Sequence, residues 1–333
     1  MTLSKSKHHD FKFIEEELLR IEKPGRYVGG EFNQILKDWS SVFTHVALLF
    51  PDIYDIGVPN LGLAILYDIL NKQEDVLAER AFSPWTDMEA LLRDKHFPMY
   101  SLESKTPLNQ FDILGFTFPY ETIYTNTLNI LDLANNPLHS MDRNKDQPLI
   151  IAGGQSTYNP EPMADFIDAF ILGEGEEVIL EVIEIHKAWK ISGADKPALL
   201  MKLSSIAGVY VPSLYEVAYN LDGTIKSLTP NNSQLPEQIT KRIVAKLPPP
   251  ITKFIVPNIE TVHDRISIEI MRGCTRGCRF CHAGMVNRPI RERSVEDIIA
   301  AIQSSLKSTG YEDISLLSLS SSDHKQIVEI VNQ

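Results

Sequence analysis

Between Thr44 and about Trp189, short apolar runs alternate with amphipathic stretches. The runs predict strands at 46–50, 76–82, 112–118, 149–152 and 169–172, and the stretches predict helices at 61–70, 87–95, 124–134 and 176–186. Strands alternating with helices of this length imply βαβ units, and so an α/β domain whose mostly parallel, doubly wound sheet is covered on both faces. A ligand of such a sheet lies beyond the carboxyl ends of the strands, where Pro51-Asp52, Pro119-Tyr120-Glu121 and Gly153-Gly154-Gln155 are expected.

This Rossmann-like or flavodoxin-like domain, residues 44–190, is flanked by three further segments. Residues 1–43 read as a helical lead-in, with Phe13, Leu18, Leu19 and Ile21 apolar, followed by a turn-rich Lys23-Pro-Gly-Arg-Tyr-Val-Gly-Gly30. Residues 191–262 read as a connector, with Val209-Tyr-Val-Pro212, a hairpin around Asn220-Leu-Asp-Gly223, and a stiff strap at Pro248-Pro-Pro250. Residues 263–333 then read as the start of a (βα) barrel. A strand at 265–270 leads to a helix that begins at Ser294 and carries Val295, Ile298, Ile299, Ile302 and Leu306 as one apolar stripe ending near Gly310. A second strand at 314–319 ends in Ser320-Ser-Ser-Asp323, ahead of a helix at 324–331. A barrel needs about six to eight such units to bury its interior. The expectation is therefore a truncated barrel, either in a fragment or in a chain whose barrel is completed by another chain, with Ile268, Ile270, Leu316 and Leu317 left uncovered.

Composition narrows the function classes. A chain of 333 residues, 43% of them apolar, can bury two cores, and no apolar run approaches the ~18 residues that span a bilayer. Its net charge of −12 argues against a general nucleic-acid surface, although Arg288, Arg291 and Arg293 form a local basic patch that reads either as a site or as a solvated loop. The start of the chain is polar and carries no secretory apolar core, so a reducing cytoplasm is the expected setting.

All three cysteines fall in Cys274-Thr-Arg-Gly-Cys278-Arg-Phe-Cys281, a C-x3-C-x2-C run directly after the strand at 265–270. An odd count in a reducing setting speaks against a disulfide. A structural zinc closes with four ligands, and His282, adjacent to Cys281, fits a tetrahedral metal poorly as the fourth. An electron-transfer [4Fe-4S] cluster also takes four thiolates, so three leave one iron open.

With Phe280 before the third cysteine, this run resembles the signature of the radical S-adenosylmethionine (SAM) enzymes, whose open iron binds the amino and carboxylate groups of SAM. The segment Gly153-Gly154-Gln-Ser-Thr-Tyr-Asn-Pro160-Glu-Pro, with Asp165-Phe-Ile-Asp168 and Leu172-Gly173-Glu174-Gly175-Glu176, resembles the end of the cobalamin-binding domain that precedes many radical SAM barrels. Glu174 or Glu176 can cap the next helix. The loop from Pro51 to Pro59 offers no histidine to a cobalt, and Asp94-Lys-His96-Phe-Pro-Met99 reads as an ordinary loop. Cobalamin bound without a histidine stays open beside a domain used for packing or for substrate.

The whole order of segments, with Ala283-Gly284-Met285, Arg288-Pro289 and Arg291-Glu-Arg-Ser294, resembles the amino-terminal half of a radical SAM family with a cobalamin-domain-like front end. The resemblance implies a [4Fe-4S] cluster on Cys274, Cys278 and Cys281, SAM as cofactor, and an electron donor such as a flavodoxin or ferredoxin. It implies reductive cleavage of SAM and hydrogen abstraction by a 5′-deoxyadenosyl radical, and it names no substrate. Phe280, Arg291, Arg293, Ser320, Ser321 and Ser322 are the positions it suggests around the cofactors, the serines as a small-residue turn at the amino group of SAM or as a simple helix cap. The reading from another class is a non-catalytic iron–sulfur or metal-binding interaction module.

Overall fold

The structure, a computed structural model, describes residues 11–333; the first ten residues of the lead-in and the Phe13 side chain lie outside the described residues. Helix α1 (Phe11–Leu18) is short, and the rest of the lead-in is held by 3-10 turns at Pro24–Arg26 and Trp39–Ser41 rather than by further helix.

Six strands form the main sheet: β1 (Thr44–Phe50), β2 (Val76–Phe82), β3 (Ile113–Thr117), β4 (Leu149–Gly153), β5 (Ala169–Ile171) and β6 (Val209–Tyr210). Their order is β2-β1-β3-β4-β5-β6, with the first five parallel and β6 antiparallel at the edge. This winding puts a topological switch point between β1 and β3. The connections carry α2 (Tyr54–Gly57), α3 (Leu61–Asn71), α4 (Thr86–Asp94), α5 (Tyr124–Leu133), α6 (Gly175–Ser192) and α7 (Lys196–Leu203). Helices α4 and α5 pack on one face, with Met88, Leu92, Ile130 and Leu131 in its core. Helices α3, α6 and α7 cover the other, with Leu63, Leu70, Val178, Val182 and Leu199. Caps set the helix starts: the Asn60 side chain accepts from the Leu63 amide, and that of Asp195 from the Ala198 amide.

Both α7 and β6 fall in the segment read as a connector, so the first domain's sheet takes in chain beyond residue 190. A two-residue edge strand is too short for periodicity to reveal. Strand β2 is buried throughout although it carries Glu79 and Arg80. Arg80 Nε donates to Glu103 at 2.7 Å and Nη2 pairs with Glu31, which also accepts from Tyr54 Oη at 2.5 Å. Paired and hydrogen-bonded, these charges are tolerated inside the fold, and they tie the lead-in to the sheet.

The connector continues as a hairpin of β7 (Tyr215–Tyr219) and β8 (Ile225–Pro230) around the expected turn. The strap beyond it touches the first domain and the lead-in, with a parallel bridge from Gly173 to Arg242 and an antiparallel one from Phe32 to Val256. In the second unit, β9 (Ile266–Glu269) is followed by β10 (Met271–Arg272), α8 (Ala283–Val286), β11 (Arg291–Glu292), α9 (Val295–Thr309), β12 (Ile314–Leu317) and α10 (Ile327–Asn332). Strands β9 and β12 pair in parallel with α9 as the crossover. Ile268 and Ile270, expected to be uncovered, are buried with Ile266, Val295 and Ile298, because this face of the strand is the one α9 covers. Leu316 is half-buried and Leu317 is 42% exposed. Among the described residues no helix is long and apolar enough to cross a membrane.

Candidate functional site

The cysteine loop leaves β10 through Gly273 and returns at β11, which pairs antiparallel with β10 by Met271 to Glu292 and Arg272 to Arg291. Gly273 has φ 92°, and a Cβ there would stand 2.5 Å from the Pro289 carbonyl oxygen and 2.8 Å from that of Asn287, so glycine lets the two ends of the loop close on each other. Between them Cys274 is buried, Cys278 exposed and Cys281 half-buried, all three as free thiols. The Arg276 amide donates to Cys274 Sγ at 3.4 Å and the Gly284 amide to Cys281 Sγ at 3.3 Å. Phe280 is 92% exposed. The His282 ring stands edge-on to Tyr158, with centroids 6.0 Å apart. Among the described residues no three His, Cys, Asp or Glu side chains are drawn together at metal-ligand geometry, so the loop carries the donors in one segment without converging them.

Of the two arginines suggested around the cofactors, Arg291 is engaged in the contact with the first domain and Arg293 within its own unit and with the strap. Arg291 Nη1 and Nη2 each donate to Glu174 at 2.6 Å in a two-pronged pair, and Nη1 also donates to the Val244 carbonyl. Arg293 Nη2 donates to Glu269 Oε2 at 2.8 Å and Nη1 to the Pro248 carbonyl. Arg272 completes the network, with Glu269 at 2.9 Å, Glu176 at 2.7 Å and Glu174 at 3.2 Å. Burial alone would raise the Glu174 carboxyl, but donors from Arg291 and the Val244 amide, with the charges of Arg272 and Arg291, together hold it below the usual glutamate range. Glu174 occupies the N-cap position of α6 but makes no side-chain cap; its partners are in the second unit and the strap.

At the carboxyl end of β12, Ser320 Oγ donates to Asp323 at 2.8 Å, and Ser321 Oγ lies 3.0 Å from Ser318 Oγ and 3.1 Å from the Leu316 carbonyl it donates to. Ser322 is exposed in the 3-10 turn Ser321–Asp323. Arg276, within the cysteine loop, donates through Nε to Asp323 at 2.7 Å and pairs with it again through Nη2. These donors, Arg276 first and Ser320 second, lower the Asp323 carboxyl to about 2. The serine turn and the cysteine loop are thus joined side by side, although nothing in their spacing announces it.

Between the two units lies a cavity of about 500 Å³. Its first-domain wall is formed at the carboxyl ends of β3, β4 and β5 by Thr117, Pro119, Gly153, Gly154 and Gln155, and by Leu61, Leu66 and Ile179 of the helices. Its second-unit wall is Glu269, Met271, Arg272, Gly273 and Asn287, with Leu317 to Leu319. Pro119 and Gly153-Gly154-Gln155 stand where the strand pattern placed them, while Pro51 and Asp52 are set aside, Asp52 accepting from Tyr120 Oη at 2.7 Å. Among the described residues no histidine lines this cavity. His96 follows the end of α4, on the amino-end side of the sheet. Period-two alternation in β9 could have found Glu269, since Ile266 and Ile268 face α9 and the residues between them face the other way. Arg272 and Glu174 carried no signal of their pairing across more than ninety residues.

Two family models match in succession: the N-terminal domain of radical SAM proteins over residues 62–212, and the radical SAM superfamily domain over residues 268–333. An uncharacterised protein of Methanocaldococcus jannaschii is 24% identical over 291 residues, covering 86% of this chain and 52% of the relative. Two structures of the radical SAM methyltransferase TsrM from Kitasatospora setae share the fold. The one with tryptophan substrate and a SAM analogue bound has a TM-score of 0.50 at 15% identity, and the one with cobalamin and a [4Fe-4S] cluster bound has 0.51 at 14%. Each covers 87% of this chain and 50% of the methyltransferase, so the chain spans about half the length of these relatives. In this order, then, the chain carries regions that match the N-terminal and the core domains of the radical SAM proteins.

Proposed function

We propose that the chain binds a [4Fe-4S] cluster through Cys274, Cys278 and Cys281 and SAM at the open iron, and uses them to start radical chemistry. The observation that carries this reading is the donor set: three free thiols on one loop, two of them already accepting backbone amides, and no fourth cysteine in the chain. When bound, such a cluster supplies the single electron that cleaves SAM reductively. The residues supply the setting. The Arg276 and Gly284 amides stabilise charge on sulfur, and Gly284 leaves room there, since a Cβ would stand 3.4 Å from Cys281 Sγ. The Ser320 to Ser322 turn, joined to the loop through Arg276 and Asp323, offers hydroxyls to the amino group of SAM. The exposed Cys278 side is the approach for an electron donor such as a flavodoxin or ferredoxin.

The cavity is the place for a second ligand, and its glycines support this. Gly115, Gly153 and Gly175 have no positive φ, and a Cβ on any of them would meet nothing closer than 3.6 Å, so the fold itself has room for a side chain that the sequence withholds. A flat cofactor such as cobalamin fits that reading, bound without an imidazole from the protein because no histidine among the described residues lines the cavity.

Anaerobic reconstitution tests the proposal. Iron and sulfide should enter at about four irons per chain with a visible sulfur-to-iron band. Alanine at Cys274, Cys278 or Cys281 should abolish the cluster, while His282→Ala should retain it. Stoichiometric zinc in place of iron would overturn the reading. Added cobalamin should show no protein imidazole in its spectrum, unchanged by His96→Ala.

A further inference from the structure

The loop that follows the third cysteine is held from outside its own unit. Lys241 of the strap donates through Nζ to the carbonyls of Val286 and Arg288, both at 2.6 Å. Tyr158, in the first domain, donates to the same Val286 carbonyl at 3.3 Å. Three residues beyond Arg288, Arg291 is gripped by Glu174 of the first domain. Two glutamate oxygens and two outside donors, the latter making three hydrogen bonds, therefore fix a short segment that otherwise makes one helical turn, α8. Glu174, Gly273 and Asn287 all line the interdomain cavity, so the clasp lies where the cavity meets the base of the cysteine loop.

We propose that Glu174 and Lys241 are positioning residues for the cluster loop: they fix residues 286–291 from the first domain and the strap, and thereby hold Cys281 and the Gly284 amide in place. The proposal rests on the cluster reading of the three cysteines. The mechanism is one of orientation, in which groups outside the ligand set hold the segment that follows the third ligand. A carboxylate against a two-pronged guanidinium suits this task, since it fixes both distance and plane.

The test uses the full chain as wild type, Glu174→Ala, Lys241→Met and Glu184→Gln, the last a control on the exposed face of α6. Amide exchange is followed at residues 284–291 in the metal-free chain. In the reconstituted chain, iron loss to a ferrous chelator and the electron-spin line shape of the reduced cluster are measured. Glu174→Ala and Lys241→Met should speed exchange in that segment, release iron roughly tenfold faster and alter the line shape, with the control unchanged. Lys241→Met removes only two hydrogen bonds from a half-buried surface side chain, so it decides the matter even if Glu174→Ala does not fold. Exchange and iron loss in Lys241→Met indistinguishable from wild type would overturn the proposal. If the wild type takes up no iron, the cluster reading fails, and exchange in the metal-free chain still judges the clasp.

Discussion

At Gly154 the backbone φ of 117° and a virtual Cβ 2.6 Å from the Phe118 carbonyl oxygen leave no side chain possible, whereas at Gly115 a Cβ would make ordinary contacts, the nearest being Leu48 at 3.6 Å. The two substitutions should therefore part. Gly154→Ala should destabilise by at least about 1–3 kcal/mol from backbone strain, before the overlap is counted. Gly115→Ala should leave stability unchanged or raise it by about 0.5–1 kcal/mol, as expected of alanine in a strand. Urea unfolding of both variants measures the contrast, and equal losses would refute it. His186 allows a pH prediction. It is 2% exposed on α6, its Nδ1 has no hydrogen-bond partner, and burial lowers its pKa from 6.5 to about 4. Between those values the unfolded chain binds the proton and the folded chain does not, so stability should fall as the pH drops from 6.5 towards 4, by about 3 kcal/mol at most. Unfolding at both ends of that window should show a smaller fall in His186→Leu than in wild type.

Helix α9 shows how much of an element local sequence can settle. The Ser294 side chain accepts from the Asp297 amide at one end, Gly310 turns the chain at φ 76° at the other, and the stripe between them faces β9. Ser294→Ala should cost about 1 kcal/mol. Because the apolar cluster beneath α9 is separate from the two in the first domain, the loss should appear as faster amide exchange over 295–309, with the six-stranded sheet unaffected. Exchange rising equally in both units would show that they unfold as one. The same local rules were silent on β6, which is two residues long, and on the lead-in, whose described part is held by distant partners such as Asn33 to the carbonyls of Phe254 and Ser308.

Across the whole molecule, the contact between the units includes ion pairs of Glu174 and Glu176 with Arg272 and Arg291. Glu174 is the group to follow, because its pKa is held below the ordinary 4.5. A carboxylate with a depressed folded value contributes stability that is complete above the unfolded value and lost as the pH falls through the folded one. The domain contact should thus be intact at pH 6 and should loosen only below 4.5, whereas Glu174→Gln should be loose already at pH 6. X-ray scattering and amide exchange at residues 286–291 measure this; a variant as closed as wild type at pH 6 would show that Glu174 does not govern the contact.

What the sequence determined by itself was local: the alternation that yields the parallel strands, the caps and stripe of α9, and three cysteines within a single loop. Strand pleat, helix period and the donor set of one loop are all set by neighbours in the chain, so one dimension suffices to read them. What only the tertiary structure decided was partnership over distance. Arg291 and Arg293 read equally as site or surface; Arg291 became part of a domain contact once Glu174, more than a hundred residues earlier, was brought beside it, and Arg293 paired with Glu269 inside its own unit. Arg80 and Glu31 could be buried because each supplied the other's missing charge. The cavity exists only because the carboxyl ends of one sheet face the strand ends of another unit. Coulomb pairing and cavity walls depend on separation in space, and separation along the chain carries almost no information about it.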